Sequence, residues 1–145
     1  SYFSAKPTDF EECAVAIWQM IEPAALDASV TQPSKDGGRD AIGKHYLGPH
    51  SDKVAVDFAL EAKLYGPNNP VGVKDMARLI SRLLHRQYGV LVTTSFVHKQ
   101  TYEEIREDGH PVVIVSGRDI VEVLKANNLS TADQVQSWLN NRFPH

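Results

Sequence analysis

The chain has 145 residues, the usual size of one domain, and 42% of them are hydrophobic, so a core can form without metal or disulfide staples. The formal net charge of −3 argues against a protein whose whole surface grips nucleic acid, although it leaves room for a local basic stripe. Cys13 is the only cysteine, which excludes an internal disulfide framework and suits a reducing cytoplasm. No run is long and apolar enough to span a membrane.

The first elements are predicted to be a helix and then a meander of strands. Residues 8–21 have a candidate cap, early acidic residues and an apolar stripe at helical spacing, so they predict a helix. Residues 26–31 predict a short strand that runs into the turn SKDGGRD at 34–40. A second strand is expected over 39–43, and residues 44–53 predict a hairpin loop.

Residues 54–65 give the strongest strand signal in the chain. Alternate positions share one face of a strand, and one such set is entirely apolar. That set is Val54, Val56, Phe58, Leu60, Ala62 and Leu64. Glu61 and Lys63 fall together on the other face, which is otherwise small near them.

The second half alternates helices and strands. Helices are predicted over 72–87, 97–108, 119–126 and from a Ser130–Asp133 capping box to 140, with strands over 89–94 and 112–115. The helix over 72–87 is expected to bury Val73, Met76, Ala77, Ile80, Leu83 and Leu84. The order predicts an α/β fold with a mixed β-sheet flanked by helices on both faces.

The chemistry is expected at Glu61 and Lys63, because a carboxylate and an ammonium on an apolar strand are costly to bury unless they are paired or bind something. If the preceding strand pairs with this one, Asp40 approaches Glu61, and a divalent cation such as Mg²⁺ would relieve the repulsion between them. A plain salt bridge is the competing interpretation. Asp36 is the rival to Asp40, although an Asp before Gly-Gly is also a good turn residue.

Asp40, a hairpin and then Glu61-x-Lys63 on the next strand resemble the signature of the PD-(D/E)xK nuclease superfamily. Flanking motifs narrow the resemblance to the Mrr-like restriction endonuclease branch, and it runs from about residue 10 to 125. These motifs are Phe10-Glu11, DGGRD, EAK, GVLVTTS, Pro111-Val-Val-Ile-Val and Gly117-Arg-Asp-Ile-Val. The resemblance implies a restriction-endonuclease-like fold.

The resemblance also implies a metal-dependent DNA endonuclease of a prokaryotic cytoplasm, using Mg²⁺ with Mn²⁺ as a substitute. Asp40 and Glu61 would be metal ligands, joined by the backbone carbonyl of Ala62. Lys63 would be the catalytic lysine and Glu11 an auxiliary acid. On the residues alone, Glu11 is equally an acidic residue favoured near a helix N-terminus.

The chain departs from the family pattern at two positions. Arg39 stands where the family name has a proline, and Glu61 stands where many Mrr-like members have glutamine. Neither departure removes a ligand.

Basic residues supply candidate contacts to the DNA backbone. Lys74, Arg78 and Arg82 recur at helical spacing, and Lys35 and Arg39 belong to the predicted SKDGGRD turn. A solvated basic face is the default interpretation of the helical set, and a contact between two copies of the helix is a further one.

Residues 1–145 are therefore interpreted as one nuclease domain, the cleavage domain of a larger restriction enzyme that acts on double-stranded DNA, with dependence on DNA modification left as an open alternative. One active site cuts one strand, so duplex cleavage suggests a homodimer or further domains of the same enzyme. Two further alternatives stay open: a junction-resolving or repair nuclease of the same fold, and a catalytically inert DNA-binding or assembly module.

Overall fold

The computed structural model describes residues 2–3, 9–30 and 41–144. Its elements are α1 (Asp9–Ile21), β1 (Ala25–Val30), β2 (Ala41–Leu47), β3 (Val54–Lys63), α2 (Val73–Ser81), β4 (Tyr88–Thr93), α3 (Lys99–Glu107), β5 (Val112–Val115), α4 (Gly117–Ala126) and α5 (Ala132–Arg142). A 3-10 turn over Arg82–His85 follows α2 directly. Within the described ranges, none of these helices has the length and apolarity needed to cross a membrane.

The strands form one mixed sheet in the order β1-β2-β3-β4-β5. β1, β2 and β3 pair antiparallel, whereas β3, β4 and β5 pair parallel. A parallel pair needs a long crossover, and α2 and α3 lie on the two crossovers. β3 is therefore the middle strand, paired on both edges, at the junction between the antiparallel and parallel halves.

Helices pack on both faces of the sheet, so each face has its own hydrophobic core. Residues of α1, α4 and α5 cover one face, where Phe58 and Leu60 of β3 are buried. Residues of α2 and α3 cover the other, around Leu91 of β4. Cys13 lies in the first core, and burial raises the pKa of its thiol to about 12. The predicted fold class is confirmed.

The alternation predicted along β3 is confirmed as well. Phe58 and Leu60 are buried in the core beneath α1, and Ala62 and Leu64 pack against that core. Because successive side chains of a strand point to opposite faces, Glu61 projects toward the α2 face of the sheet.

The β2–β3 hairpin is tighter than the sequence predicts. β2 continues to Leu47, so the first part of the predicted loop at 44–53 is strand. Gly48 makes the turn with a φ of +117°. The sequence pattern did not indicate this part of β2, because Lys44 is exposed and interrupts the apolar residues. Lys44 forms an ion pair with Asp57 across the two strands, at 2.9 Å.

The buried face of α2 is rotated relative to the prediction. Val73 and Leu84 were expected inside but are 59% and 81% exposed, whereas Met76 and Leu79 are buried. The single long helix predicted over 72–87 is also wrong, because α2 ends at Ser81 and passes into the 3-10 turn. The rotation brings the polar side of α2 over the charged end of β3.

The last helix uses a different capping box from the one predicted. Thr131 is the N-cap, its hydroxyl accepts from the Gln134 backbone N–H, and the Gln134 side chain returns to the Thr131 backbone N–H. The predicted pair of Ser130 and Asp133 is one residue out of register. α4 begins with the same motif, formed by Ser116.

We expect Gly117→Ala to lower the free energy of unfolding by about 1–3 kcal/mol, the usual cost of overpacking. A Cβ on Gly117 would lie 2.4 Å from the carbonyl oxygen of Thr94, and backbone cannot yield as a flexible side chain can. Urea denaturation measures the change. Gly66→Ala is the matched control, since nothing lies within 4 Å of its Cβ position. Equal stability of the two variants would contradict the contact.

Candidate active site

The candidate site is built on the end of β3. Glu61 and Lys63 pair in register with Leu91 and Thr93 of β4, so the strand that carries them is held in place. Glu61 is 3% exposed, and Lys63 is partly buried. A carboxylate that is buried to this degree must be stabilised by cations or hydrogen-bond donors.

Three cations surround the Glu61 carboxylate. Arg82 donates from Nη1 to Oε1 at 2.9 Å. Arg78 Nε lies 3.4 Å from the same oxygen, and Lys63 Nζ lies 4.0 Å from it. Charge-assisted hydrogen bonds of this kind favour the ionised carboxylate in a buried position.

A second carboxylate, Asp75 in the first turn of α2, contacts Lys63. Asp75 Oδ1 lies 3.6 Å from Lys63 Nζ, and its Oδ2 accepts a hydrogen bond of 2.9 Å from the Tyr65 hydroxyl. Burial and then the hydrogen bond to Asp75 raise the pKa of Tyr65 to about 12. The hydroxyl therefore stays protonated and donates to Asp75 across the physiological range of pH.

The segment after β4 fixes the end of β3. Thr93 Oγ1 donates to the carbonyl of Lys63 at 2.9 Å. The Thr94 hydroxyl donates to the carbonyl of Tyr65 at 2.7 Å and accepts from its backbone N–H at 3.0 Å. These hydroxyls act on the backbone, so they hold the strand that carries the charged side chains.

The structure brings together five of the predicted site residues. Glu61, Ala62 and Lys63 follow one another on β3, and Arg78 and Arg82 reach Glu61 from α2 and its 3-10 turn. The interpretation of a solvated face is wrong for both arginines, whose side chains are 25% and 21% exposed and pair with Glu61.

Other predicted residues lie elsewhere. Lys74 is exposed on α2, as predicted for a backbone contact or a solvated face. Glu11 is partly buried in the first turn of α1, on the helix that packs against the sheet face opposite to Glu61. Its role as an auxiliary acid stays a prediction.

The predictions for the SKDGGRD turn lie outside the described residues. They concern the metal ligand Asp40, its rival Asp36 and the basic residues Lys35 and Arg39. Within the described part of the chain, no group of three or more His, Cys, Asp and Glu residues could hold a metal ion. The assignment of Glu61 as a metal ligand therefore stays a prediction.

Sequence reasoning missed Asp75 and gave no role to Tyr65. For both residues, the sequence spacing could have indicated a place near Glu61 and Lys63. Tyr65 lies two residues after Lys63 on the same face of the strand, and Asp75 precedes Arg78 and Arg82 by three and seven residues, the spacing of one helix face. Placing that face against the strand required knowing that α2 is rotated.

A surface cavity of about 340 Å³ adjoins the cluster on the same face of the sheet. Arg82 lies in its wall and also contacts Glu61, so the cavity and the carboxylate are neighbours. Two further basic residues line it, His85 and Arg86. The cavity can therefore accept an anionic group close to Glu61.

The fold and this charged strand end define a restriction endonuclease domain. The chain belongs to the restriction endonuclease family described by the Mrr_cat model, which matches residues 4–124. The resemblance to Mrr-like restriction endonucleases is thereby confirmed.

Solved structures point to particular relatives. The chain is similar to the DNA modification-dependent restriction endonuclease AspBHI, with 47% identity over 96% of this chain and a TM-score of 0.92. It is also similar to the MspJI restriction endonuclease, solved in complex with a 27-mer oligonucleotide, with 25% identity over 98% of this chain and a TM-score of 0.79. The chain spans only 36% and 34% of those two chains. The search of curated proteins finds no match.

Proposed function

We propose that this chain is the cleavage domain of a modification-dependent restriction enzyme and hydrolyses DNA phosphodiester bonds with Mg²⁺, for which Mn²⁺ can substitute. Similarity to AspBHI, which is described as modification-dependent, and to MspJI, solved with an oligonucleotide, supports this assignment. Because the chain spans about a third of each relative, recognition of the modified base is assigned to other parts of the enzyme.

The observation that carries the proposal is the pairing of Glu61 and Lys63 on one face of the middle strand, inside a cluster with a surplus of positive charge. Among the described residues of this cluster, Lys63, Arg78 and Arg82 supply three cations, against the two carboxylates Glu61 and Asp75. A surplus of this sign attracts a phosphodiester, although the chain as a whole carries a net charge of −3.

The residues fit a divalent metal of the Mg²⁺ type. Mg²⁺ is bound by oxygen ligands, often one or two carboxylates with waters and substrate phosphate completing the shell. Glu61 supplies one carboxylate, and Ala62 next to it would supply a carbonyl. We assign Asp40 as the second carboxylate because it is bonded to Ala41, which pairs with Leu60, the neighbour of Glu61. A metal ion held by Glu61 would have to share this carboxylate with Arg82.

The bound metal would lower the pKa of a water and polarise a phosphoryl oxygen. This chain's own residues supply the remaining contributions. Lys63 carries its ammonium next to the Glu61 carboxylate, where it can orient the attacking water or stabilise negative charge that develops on the phosphate. Arg82 lies between Glu61 and the neighbouring cavity, so it can turn from the carboxylate to a phosphate oxygen.

The DNA strand is assigned to the basic side of the site. The cavity beside Glu61 carries Arg82, His85 and Arg86, and Lys74 is exposed on α2. Contacts from such residues to phosphates hold the duplex without reading its sequence. Each active site would cut one strand, so we propose that duplex cleavage uses a homodimer or further domains of the same enzyme.

A plasmid-nicking assay tests the proposal. Supercoiled plasmid should be nicked in Mg²⁺ or Mn²⁺ and left intact in EDTA. Activity should be lost in Asp40→Ala and kept in Asp36→Ala, which removes the same charge four residues earlier in the SKDGGRD sequence. The opposite result for these two variants would overturn the ligand assignment. Cleavage of four-way junctions with no cleavage of plasmid or linear duplex would overturn the restriction assignment.

A further inference from the structure

We infer that Asp75, braced by Tyr65, is a positioning residue that holds the amine of Lys63 at the reaction centre. The inference rests on the proposed function, because it assigns the means by which the catalytic lysine is oriented. Asp75 lies on α2, whereas Lys63 lies on β3, and Asp75 would act on the reaction only through its contact with Lys63.

The amine of Lys63 needs fixed contacts to stay in one position. A lysine side chain has four rotatable carbon–carbon bonds, so it loses much rotamer freedom when it is fixed in one position. Lys63 Nζ lies 3.6 Å from Asp75 and 4.0 Å from Glu61, so these two carboxylates define its position. Of the two, Asp75 is the nearer.

Glu61 alone would hold the Lys63 amine only weakly. Its Oε1 already accepts from Arg82 at 2.9 Å and has Arg78 at 3.4 Å. It is also the described carboxylate assigned to the metal, and a bound cation would reduce its attraction for a nearby ammonium. Asp75 has no such competing assignment, so it can keep Lys63 in place throughout the reaction.

Asp75 is itself held in place. Its Oδ2 accepts from the Tyr65 hydroxyl at 2.9 Å, which leaves Oδ1 toward Lys63. Tyr65 is fixed in turn, because the Thr94 hydroxyl bonds both its backbone carbonyl and its backbone N–H. The chain of contacts therefore runs from the Thr94 hydroxyl, directly after β4, through Tyr65 and Asp75 to the amine of Lys63.

An unfolding cycle tests the contact without metal or DNA. The midpoint of thermal unfolding, Tm, is measured in EDTA for wild type, Asp75→Asn, Lys63→Met and the double variant. We expect the Tm loss of the double variant to be smaller than the sum of the two single losses, since either change alone removes the same ion pair. Additive losses would overturn the inference.

A kinetic cycle on plasmid tests the role in the reaction. Asp75→Asn should lower kcat by about 10- to 100-fold while KM changes by less than about threefold, as expected when only the alignment of a catalytic group is lost. Once Lys63 is methionine, adding Asp75→Asn should cost nothing further. Asp75→Glu should recover part of kcat, and Tyr65→Phe should show a smaller loss than Asp75→Asn.

Tyr46→Phe is the matched control for Tyr65→Phe. Tyr46 also donates to an aspartate, Asp27, but in the β1–β2 pair away from the charged cluster. The kcat of Tyr46→Phe should equal that of wild type. A kcat loss from Asp75→Asn that persists in the Lys63→Met background would mean that Asp75 acts elsewhere, and would overturn the inference.

The two proposals fail in different ways. A wild-type chain that is inactive in Mg²⁺ and Mn²⁺ would overturn the proposed function and the kinetic half of the inference together. The unfolding cycle would still decide whether Asp75 holds Lys63. A nuclease with normal activity in Asp75→Asn would retain the proposed function and overturn the inference alone.

Discussion

Glu61→Ala should reduce DNA cleavage by at least about 100-fold, because it removes a carboxylate assigned to the metal and with it the electrostatic stabilisation of the transition state. The cleavage rate of Glu61→Gln should lie between the rates of Glu61→Ala and wild type. Glutamine keeps a neutral oxygen ligand, as expected from the family resemblance, in which many Mrr-like members have glutamine at this position. The measurement is the nicking rate as a function of Mg²⁺ concentration, and Glu61→Gln should need more Mg²⁺ for half-maximal rate.

The same substitution should act on stability in the absence of metal. Glu61 is surrounded by Arg82, Arg78 and Lys63, and its loss leaves these cations to repel one another. We expect Glu61→Ala to lower the free energy of unfolding in EDTA by about 1–3 kcal/mol, less than for a fully buried pair because the cations keep some contact with water.

Glu103→Ala is the control for both measurements. Glu103 is 56% exposed and forms an ion pair with Lys99 one helix turn away, so its loss should change stability by less than about 0.5 kcal/mol. If Glu61→Ala were as stable and as active as Glu103→Ala, neither the metal assignment nor the charge cluster would stand.

The fold could be predicted to a large extent because its strongest signals are periodic. β3 has an apolar residue at every second position, and Asp57, Glu61 and Lys63 fall on the other face, so the face that carries Glu61 and Lys63 was assigned correctly from spacing alone. The order of elements then fixed the α/β class. The β2 strand was underestimated because its polar residues face solvent, where burial gives no periodic signal.

The site could be predicted only in part because charges changed the packing of α2. A hydrophobic stripe through Val73 and Leu84 was taken as the buried face, yet both are exposed. The strand face opposite α2 carries a carboxylate and an ammonium, and the helix turns Asp75, Arg78 and Arg82 toward them. Spacing along one helix does not reveal the charge of the surface against which it packs.

Lys63→Met should lower kcat by about 100- to 10,000-fold, the range expected when a positioned proton-transfer or charge-stabilising group is removed. Methionine keeps the length and apolar stem of lysine, so the variant should fold. Binding of a fluorescein-labelled duplex, measured by anisotropy in EDTA, should change by less than about threefold, since one partly buried cation contributes little to the long-range attraction of the whole basic surface.

Two other lysines separate catalysis from DNA attraction. Lys99 is 88% exposed in α3, so Lys99→Met should leave kcat unchanged. Lys74 is exposed on α2 beside the site, so Lys74→Met should weaken binding and reduce the slope of log K against log salt by about 1, with kcat at saturating DNA unchanged. If Lys63→Met behaved like Lys74→Met, Lys63 would be a phosphate contact. The chemistry would then have to be carried by Arg78 or Arg82, the other cations at Glu61.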